Sequence, residues 1–251
     1  MTDNNTLSGR VAVVSGASSG IGAATARRLA AAGASVALLG RREDRLKGLA
    51  TEIGTAAVPV AVDISDQQAV YAAAATVRSA LGPVDLVVAN AGVMLAAPFE
   101  SAQTVEWDQM IGTNLNGLLY TGRAFVDDLL AAAAGGKPAD LVLVGSIGGH
   151  QVFPNYSVYT ATKAAVAHLT RGLRAELGPR GVRVKNVQPG FVGTELGEGM
   201  VDANQRELLA GMLRATPPLP PEDLADAIVY VTAAPPRMNV AELIVVPTVQ
   251  P

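Results

Sequence analysis

The stretch "VAVVSGASSGIGAATARRLAAAG", residues 11–33, changes character twice within its length. Its first five residues, VAVVS, are small or β-branched and suit an extended strand. Its last part is rich in Ala and Leu and suits a helix, which "LAAAGAS" ends at Gly33. Between them Gly16, Gly20 and Gly22 stand in a GxxxGxG spacing. Gly16 permits a sharp turn out of the strand, and Gly20 lets backbone N–H groups come close to a pyrophosphate. The start of the following helix then stabilises the negative charge. Ser15, Ser18 and Ser19 add hydroxyl donors, so Gly16, Ser18, Ser19, Gly20, Ile21 and Gly22 are candidate phosphate-binding residues. The plainer alternative is an ordinary glycine-rich strand-to-helix turn.

The same alternation runs along the chain. β-Branched runs at 10–15, 35–39, 57–62, 84–89, 140–145 and 182–188 are separated by Ala/Leu-rich segments of helical period. "VDLVVAN" and "ADLVLVGS" are nearly continuous in apolar residues, as strands buried on both faces are. Helices are expected to end in left-handed caps at Gly33 and Gly82. "TPPLPPED" (216–223) reads as a loop entering a last helix, and "AELIVVP" as the closing strand. The pattern predicts an α/β fold: one Rossmann-type domain over 1–251, a doubly wound parallel sheet with helices on both faces.

Composition removes several functions. The chain has 251 residues, 49% apolar and 16% charged, enough for a large core and unlike a disordered segment. The net charge of −3, with no basic run longer than a pair, argues against nucleic acid. Cysteine is absent, so disulfides, thiolate metal sites and cysteine nucleophiles are excluded. His150 and His168 form no metal-spaced cluster, and no metal is expected. "MTDNNTLSGR" lacks an apolar segment and no run suits a membrane span, so a soluble, cytoplasmic protein is expected.

About 20 residues past such a glycine loop, an acid at the end of the second strand would bind an adenosine ribose. Here the strand ends "VALLGRRED". Arg41 and Arg42 occupy the place, Gly40 leaves room before them, and Glu43 and Asp44 fall on the next helix. Two guanidiniums suit a 2′-phosphate, which points to NADP(H) over NAD(H). Farther on, "VYTATKAAVAHL" (158–169) sets Tyr159 and Lys163 one helical turn apart, so they share a face. Alone, that pair reads as part of a solvated helix surface.

Together these residues resemble the short-chain dehydrogenase/reductase family over nearly the whole chain. The matching blocks, in order, are "SGASSGIG" (15–22), "VDIS" (62–65), "ANAG" (89–92), "GTNLNG" (112–117), "GSIGG" (145–149), "YTATK" (159–163) and "QPGFVGTE" (188–195). "NAGVMLAAPFE" and the ending "AELIVVPTVQP" are similar to an NADP-dependent branch that includes clavulanic acid dehydrogenase. The chain departs from the family at Ala89, where asparagine is usual, in a longer segment 131–139, and in lacking a Val-Asp-Gly-Gly ending.

The resemblance implies Asn114, Ser146, Tyr159 and Lys163 as the catalytic set. Ser146 is expected at the end of a strand, its hydroxyl on a substrate carbonyl. Tyr159 then gives a proton to the oxygen, or takes one in oxidation. A free phenol titrates at about 10, too high for a base near neutrality, and the Lys163 ammonium is expected to lower it. Lys163 is also implied to hold the nicotinamide ribose, and Asn114 to fix a water behind the lysine. Asp63 and Ile64 are implied to meet adenine, although Asp63 also suits a cap on the helix at "SDQQ". Asn90, Ala91 and Gly92 are implied along the adenosine ribose, Pro189 and Gly190 in the following turn, and Val192 and Thr194 at the carboxamide. His150 reads as a pocket-rim or packing residue, and Tyr156, with threonine instead of lysine four residues on, as a pocket-lining residue and not the catalytic tyrosine.

The expected activity is hydride transfer between NADP(H) and a ketone, aldehyde or secondary alcohol, a small-molecule carbonyl/alcohol substrate. The rivals are a cofactor-sensing regulator and an epimerase-type relative. Pocket walls are expected from 93–99, 147–156 and 193–215, the last a lid whose glycines and methionines bend and adapt. A homo-oligomer, tetramer or dimer, is expected.

Overall fold

The described residues, 6–250 of a computed structural model, form a seven-stranded sheet from the β-branched runs. The ends of the expected 1–251 domain, residues 1–5 and 251, lie outside the described residues. The strands are β1 (Val11–Ser15), β2 (Ser35–Gly40), β3 (Ala57–Ala61), β4 (Leu86–Ala89), β5 (Asp140–Val144), β6 (Arg183–Pro189) and β7 (Glu242–Val245). All pairs are parallel, in the order β3-β2-β1-β4-β5-β6-β7. The order reverses between β1 and β4, and ligands of open α/β sheets bind above such a point.

Helices α1 (Gly20–Ala31), α2 (Glu43–Ile53), α3 (Gln67–Leu81), α4 (Thr104–Ile111), α5 (Leu118–Ala134), α6 (Ser157–Leu177), α7 (Ala203–Ala215) and α8 (Pro221–Ala233) alternate with the strands or follow them. Helices cover both faces, which is why the strands read as unbroken apolar runs. Val13, Leu39, Val87, Leu141 and Leu143 pack with Phe125, Leu129 and Val166 of α5 and α6 on one face. Val14, Leu38, Val88, Val142 and Val187 pack with Leu29, Leu224 and Ile228 of α1 and α8 on the other. Among the described residues no helix is long and apolar enough to cross a membrane.

The cap at Gly33 has its expected form. Gly33 (φ 98°) donates to Ala30 O and Ala34 to Leu29 O, the paired bonds of a Schellman end. Gly82 differs: its φ of 86° comes with ψ of −168°, so the chain leaves α3 extended toward β4 instead of in a left-handed turn. The long 131–139 segment is helix only in its first four residues, because α5 continues to Ala134 before Gly135 stops it.

At the N-terminal ends of the strands the sheet is tied by buried charge. Arg10 Nε lies 2.6 Å from Asp85 Oδ1, and Arg10 Nη2 lies 3.0 Å from Asp140 Oδ2. Arg183 Nη2 reaches the same Asp140 oxygen at 2.7 Å, and Lys185 Nζ stands 3.2 Å from Oδ1. Lys185 also donates to Asn239 Oδ1 at 2.7 Å. Burial pushes the Lys185 ammonium down to about 8, against the pull of Asp140. The chemistry-bearing residues collect at the opposite ends of these strands.

Candidate active site

The glycine loop leaves β1 at Ser15 and starts α1 at Gly20. Gly16 has φ of 70°, and a side chain there would stand 2.8 Å from Ala91 Cα, so only glycine fits both the turn and the contact. Gly22 lies behind the loop, where a Cβ would come within 2.2 Å of Gly16 O. It seats the helix against the turn. No side chain caps the start of α1, which leaves its first N–H groups to an anion. Ser15 is not one of the donors expected: it is buried, and its hydroxyl accepts from Asn90 N–H (3.0 Å) and Ala91 N–H (3.1 Å). This holds the turn after β4 against the loop.

A cleft of about 420 Å³ opens along the C-terminal strand ends. Gly16, Ser18, Ser19, Gly20 and Ile21 line it beside Gly40, Arg41 and Arg42. Asp63, Ile64, Asn90, Ala91 and Gly92 form its middle, and Ser146, Tyr159 and Lys163 its inner part. Pro189, Gly190, Val192 and Thr194 face them from the loop after β6. Gln250 Oε1 accepts from Phe191 N–H at 2.9 Å and braces that loop from the chain's far end. Val93, Met94 and Leu95 supply apolar wall, as expected. Gln109, Thr113 and Glu195 also line the cleft; Thr113 and Glu195 lie within the blocks GTNLNG and QPGFVGTE with no role implied for them there, and Gln109 lies in no block.

The arginines behave unequally. Arg42 Nε and Nη2 donate to Ser18 Oγ (3.1 and 3.0 Å), and Nη2 donates to Ser19 Oγ (2.6 Å). Arg41 faces Asp63. Burial alone would raise the Asp63 carboxyl, but the N–H and hydroxyl of Ser65 and the Arg41 charge hold it below its usual value. The helix cap weighed for Asp63 belongs to Asp66, whose carboxylate accepts from Gln68 and Ala69 N–H. Asp63 is thereby free to face the cleft.

Ser146 lies two residues past the end of β5, after Gly145, and accepts from Gly148 N–H at 3.0 Å, opening a 3₁₀ turn at Ile147–Gly149. Tyr159 and Lys163 share one face of α6, both buried. Lys163 Nζ lies 5.9 Å from the Tyr159 ring centre and donates to Val144 O at 3.0 Å. Burial pushes the Lys163 ammonium down to about 8. The expected depression of Tyr159 by this lysine is not found. Burial dominates and raises the phenol, with the Ser146 hydroxyl pulling the other way.

Asn114 is buried in a π turn, Gly112–Gly117, between α4 and α5. Its Nδ2 donates to Val93 O (2.9 Å) and Thr162 Oγ1 (3.1 Å), and its Oδ1 accepts from Val93 N–H (2.8 Å). The amide is thus engaged at both ends. It ties the wall at Val93 to the helix carrying Tyr159 and Lys163.

The segment 147–156 does not line the cleft. His150 is exposed and is not among the residues lining the cleft. Tyr156 is buried beside Tyr159 with Leu95, Met110 and Met200, its hydroxyl without a partner. Within 193–215, Gly197 and Gly199 face the cleft and Met200 is buried against its apolar wall, while 203–215 is the helix α7. Among the described residues no group of three or more His, Asp or Glu is placed to hold a metal.

A glycine loop at an uncapped helix start, a guanidinium pair beside it and a buried Tyr/Lys pair with a serine fit a nicotinamide dinucleotide. Proteins of known sequence and structure point the same way. Residues 10–205 match the model of the short chain dehydrogenase family. An uncharacterized oxidoreductase of Staphylococcus aureus is 34% identical over 242 residues, covering 96% of this chain and 98% of that protein. One of Staphylococcus haemolyticus is 36% identical over the same shares. A closed serine dehydrogenase complexed with NADP+ has a TM-score of 0.89 at 30% identity, covering 96% of each chain. A 3-ketoacyl-(acyl-carrier-protein) reductase from Brucella melitensis complexed with NADH has a TM-score of 0.86 at 31% identity, covering 96% of this chain and 98% of that one. Because the matched span runs from β1 through the glycine loop, Ser146, Tyr159 and Lys163 into α7, this chain belongs to the short-chain dehydrogenases, a family of oxidoreductases.

Proposed function

We propose that this protein is an NADP(H)-dependent oxidoreductase acting on a ketone or aldehyde, or on the matching secondary alcohol. The observation that carries this reading is one cleft with Tyr159, Lys163 and Ser146 at its inner part and Arg41 and Arg42 at its mouth. When bound, the nicotinamide supplies or accepts the hydride. Ser146 Oγ donates to the substrate oxygen, and Tyr159 gives it a proton in reduction or takes one in oxidation. Burial raises the Tyr159 phenol above its usual range, which keeps it protonated at neutral pH, the state reduction needs. The Lys163 ammonium stabilises the phenolate left behind and holds the ribose. Asn114 positions both the Val93 wall and α6.

Solved relatives carry NADP+ and NADH alike, so the cofactor preference rests on the arginines. A charged hydrogen bond contributes about 1.5–3 kcal/mol. Arg42→Asp, and Arg41→Asp in the same way, should therefore lower the ratio of kcat/KM for NADPH over NADH by about 10- to 100-fold. Steady-state rates with a panel of carbonyl compounds measure this. A wild type that prefers NADH, or ratios that stay put, would leave these arginines as solvated surface.

The whole chain serves as one dinucleotide-binding and catalytic domain, with 193–215 as its lid, working in the cytoplasm. Neither nucleic acid, a membrane nor a metal has a part in this reading. A homo-oligomer, dimer or tetramer, is supported by exposed apolar side chains on α4 and α5 (Val105, Ile111, Leu119) and around β7 (Tyr230, Ile244, Val249). Sedimentation velocity at micromolar concentration should show a species at least twice the 25.6 kDa chain. A monomer alone refutes it.

A further inference from the structure

Glu195 draws two cations to itself at the cleft mouth. Its Oε2 accepts from Arg42 Nη1 at 2.6 Å and its Oε1 from Arg45 Nη1 at 2.5 Å. Arg45 belongs to α2, and Glu195 follows Thr194 on the loop after β6. One carboxylate therefore spans the opening and joins the second strand's loop to the start of the lid. With Ser18 and Ser19 on Nε and Nη2 and Glu195 on Nη1, all three Arg42 nitrogens are engaged by the chain itself. The groups are half-exposed, so the ion pairs are exchangeable and salt-sensitive.

A carboxylate bridging two guanidiniums has the charge and acceptor geometry of a phosphate edge. We propose that Glu195 determines cofactor specificity as an internal competitor: it holds Arg42 and Arg45 until a 2′-phosphate takes them, and the exchange releases the first part of the lid. This rests on the reading of Arg41 and Arg42 as a 2′-phosphate site. Two consequences follow. The enzyme gives up part of the affinity for 2′-phosphorylated cofactor that its arginines could supply. A cofactor lacking that phosphate leaves the bridge in place, so the lid stays fastened over it. Glu195 is held ionised by Arg42 and Arg45 down to about 2, so the bridge persists across the working pH range.

The test is calorimetric titration of the ligand-free full chain with 2′,5′-ADP and with 5′-AMP, which differ only in the 2′-phosphate. Glu195→Gln should bind 2′,5′-ADP about 3- to 10-fold more tightly, the scale of a half-exposed charge interaction, with 5′-AMP unchanged. Glu195→Ala should move the same way, and amide exchange over 193–201 should quicken in both. Equal tightening of both nucleotides, unchanged 2′,5′-ADP binding, or unchanged exchange in both variants overturns the competitor while the 2′-phosphate site stands. Wild-type protein that binds the two nucleotides equally removes the phosphate site itself, and the competitor with it.

Discussion

Tyr159→Phe should lower turnover by about 100-fold or more, the contribution of a positioned acid–base group, while cofactor binding changes by less than about twofold. The ring of Tyr159 is buried with Leu95, Met110, Tyr156 and Met200, and phenylalanine fills the same volume. What disappears is one hydroxyl, the group that exchanges a proton with the substrate oxygen. Ser146 and Lys163 keep their places, because Gly148 N–H and Val144 O fix them independently of that hydroxyl. The loss should therefore fall on kcat, with dissociation constants for the dinucleotide nearly constant. Turnover within a factor of about ten of wild type would mean that the proton comes from elsewhere and would end the proposed mechanism.

Asp140→Ala should cost about 3–5 kcal/mol of folding stability, since removing one partner of a buried ion pair leaves the other uncompensated. Asp140 is fully buried and meets Arg10, Arg183 and Lys185. Without it, Arg10 keeps Asp85, but Arg183 is left with the carbonyl oxygens of Thr232 and Ala234 and Lys185 with Asn239 Oδ1, none of them charged. For a chain of this length the loss corresponds to about 10 °C in Tm. The deficit should shrink as pH rises. Burial already lowers Lys185 to about 8, and removing Asp140 takes away a charge that raises it, so the lysine sheds its proton more readily. Urea unfolding at pH 7 and pH 9 measures both effects. A loss below about 1 kcal/mol at pH 7 would show that the network is well solvated.

The parts legible in the sequence share a cause: each is set by near neighbours along the chain. The turn at Gly16, the Schellman end at Gly33 and the common face of Tyr159 and Lys163 depend on local geometry, so spacing was enough to read them. The parts that escaped are meetings of distant residues. Arg42 and Glu195 are 153 positions apart, and Arg10 and Asp140 are 130 apart. No periodicity links them, and each charge read alone looks like solvated surface. Ser15 shows the intermediate case. Its hydroxyl was legible as a polar group in a phosphate loop, but its partners, Asn90 and Ala91, come from another strand's end. The same limit hid the engagement of the Asn114 amide by Val93 and Thr162.

The ion network and the cleft occupy opposite ends of the same strands, and this separation bears on how the protein can change over generations. Substitutions at 93–95 or 193–200 alter what the cleft admits without touching Asp140 or its partners, so altered substrate range need not erode the fold. Conversely, a stabilising replacement around Arg10 or Lys185 offers tolerance to mutation elsewhere while leaving the reacting groups where they are. An inherited lineage can thus vary its chemistry at one end of the sheet and draw its robustness from the other.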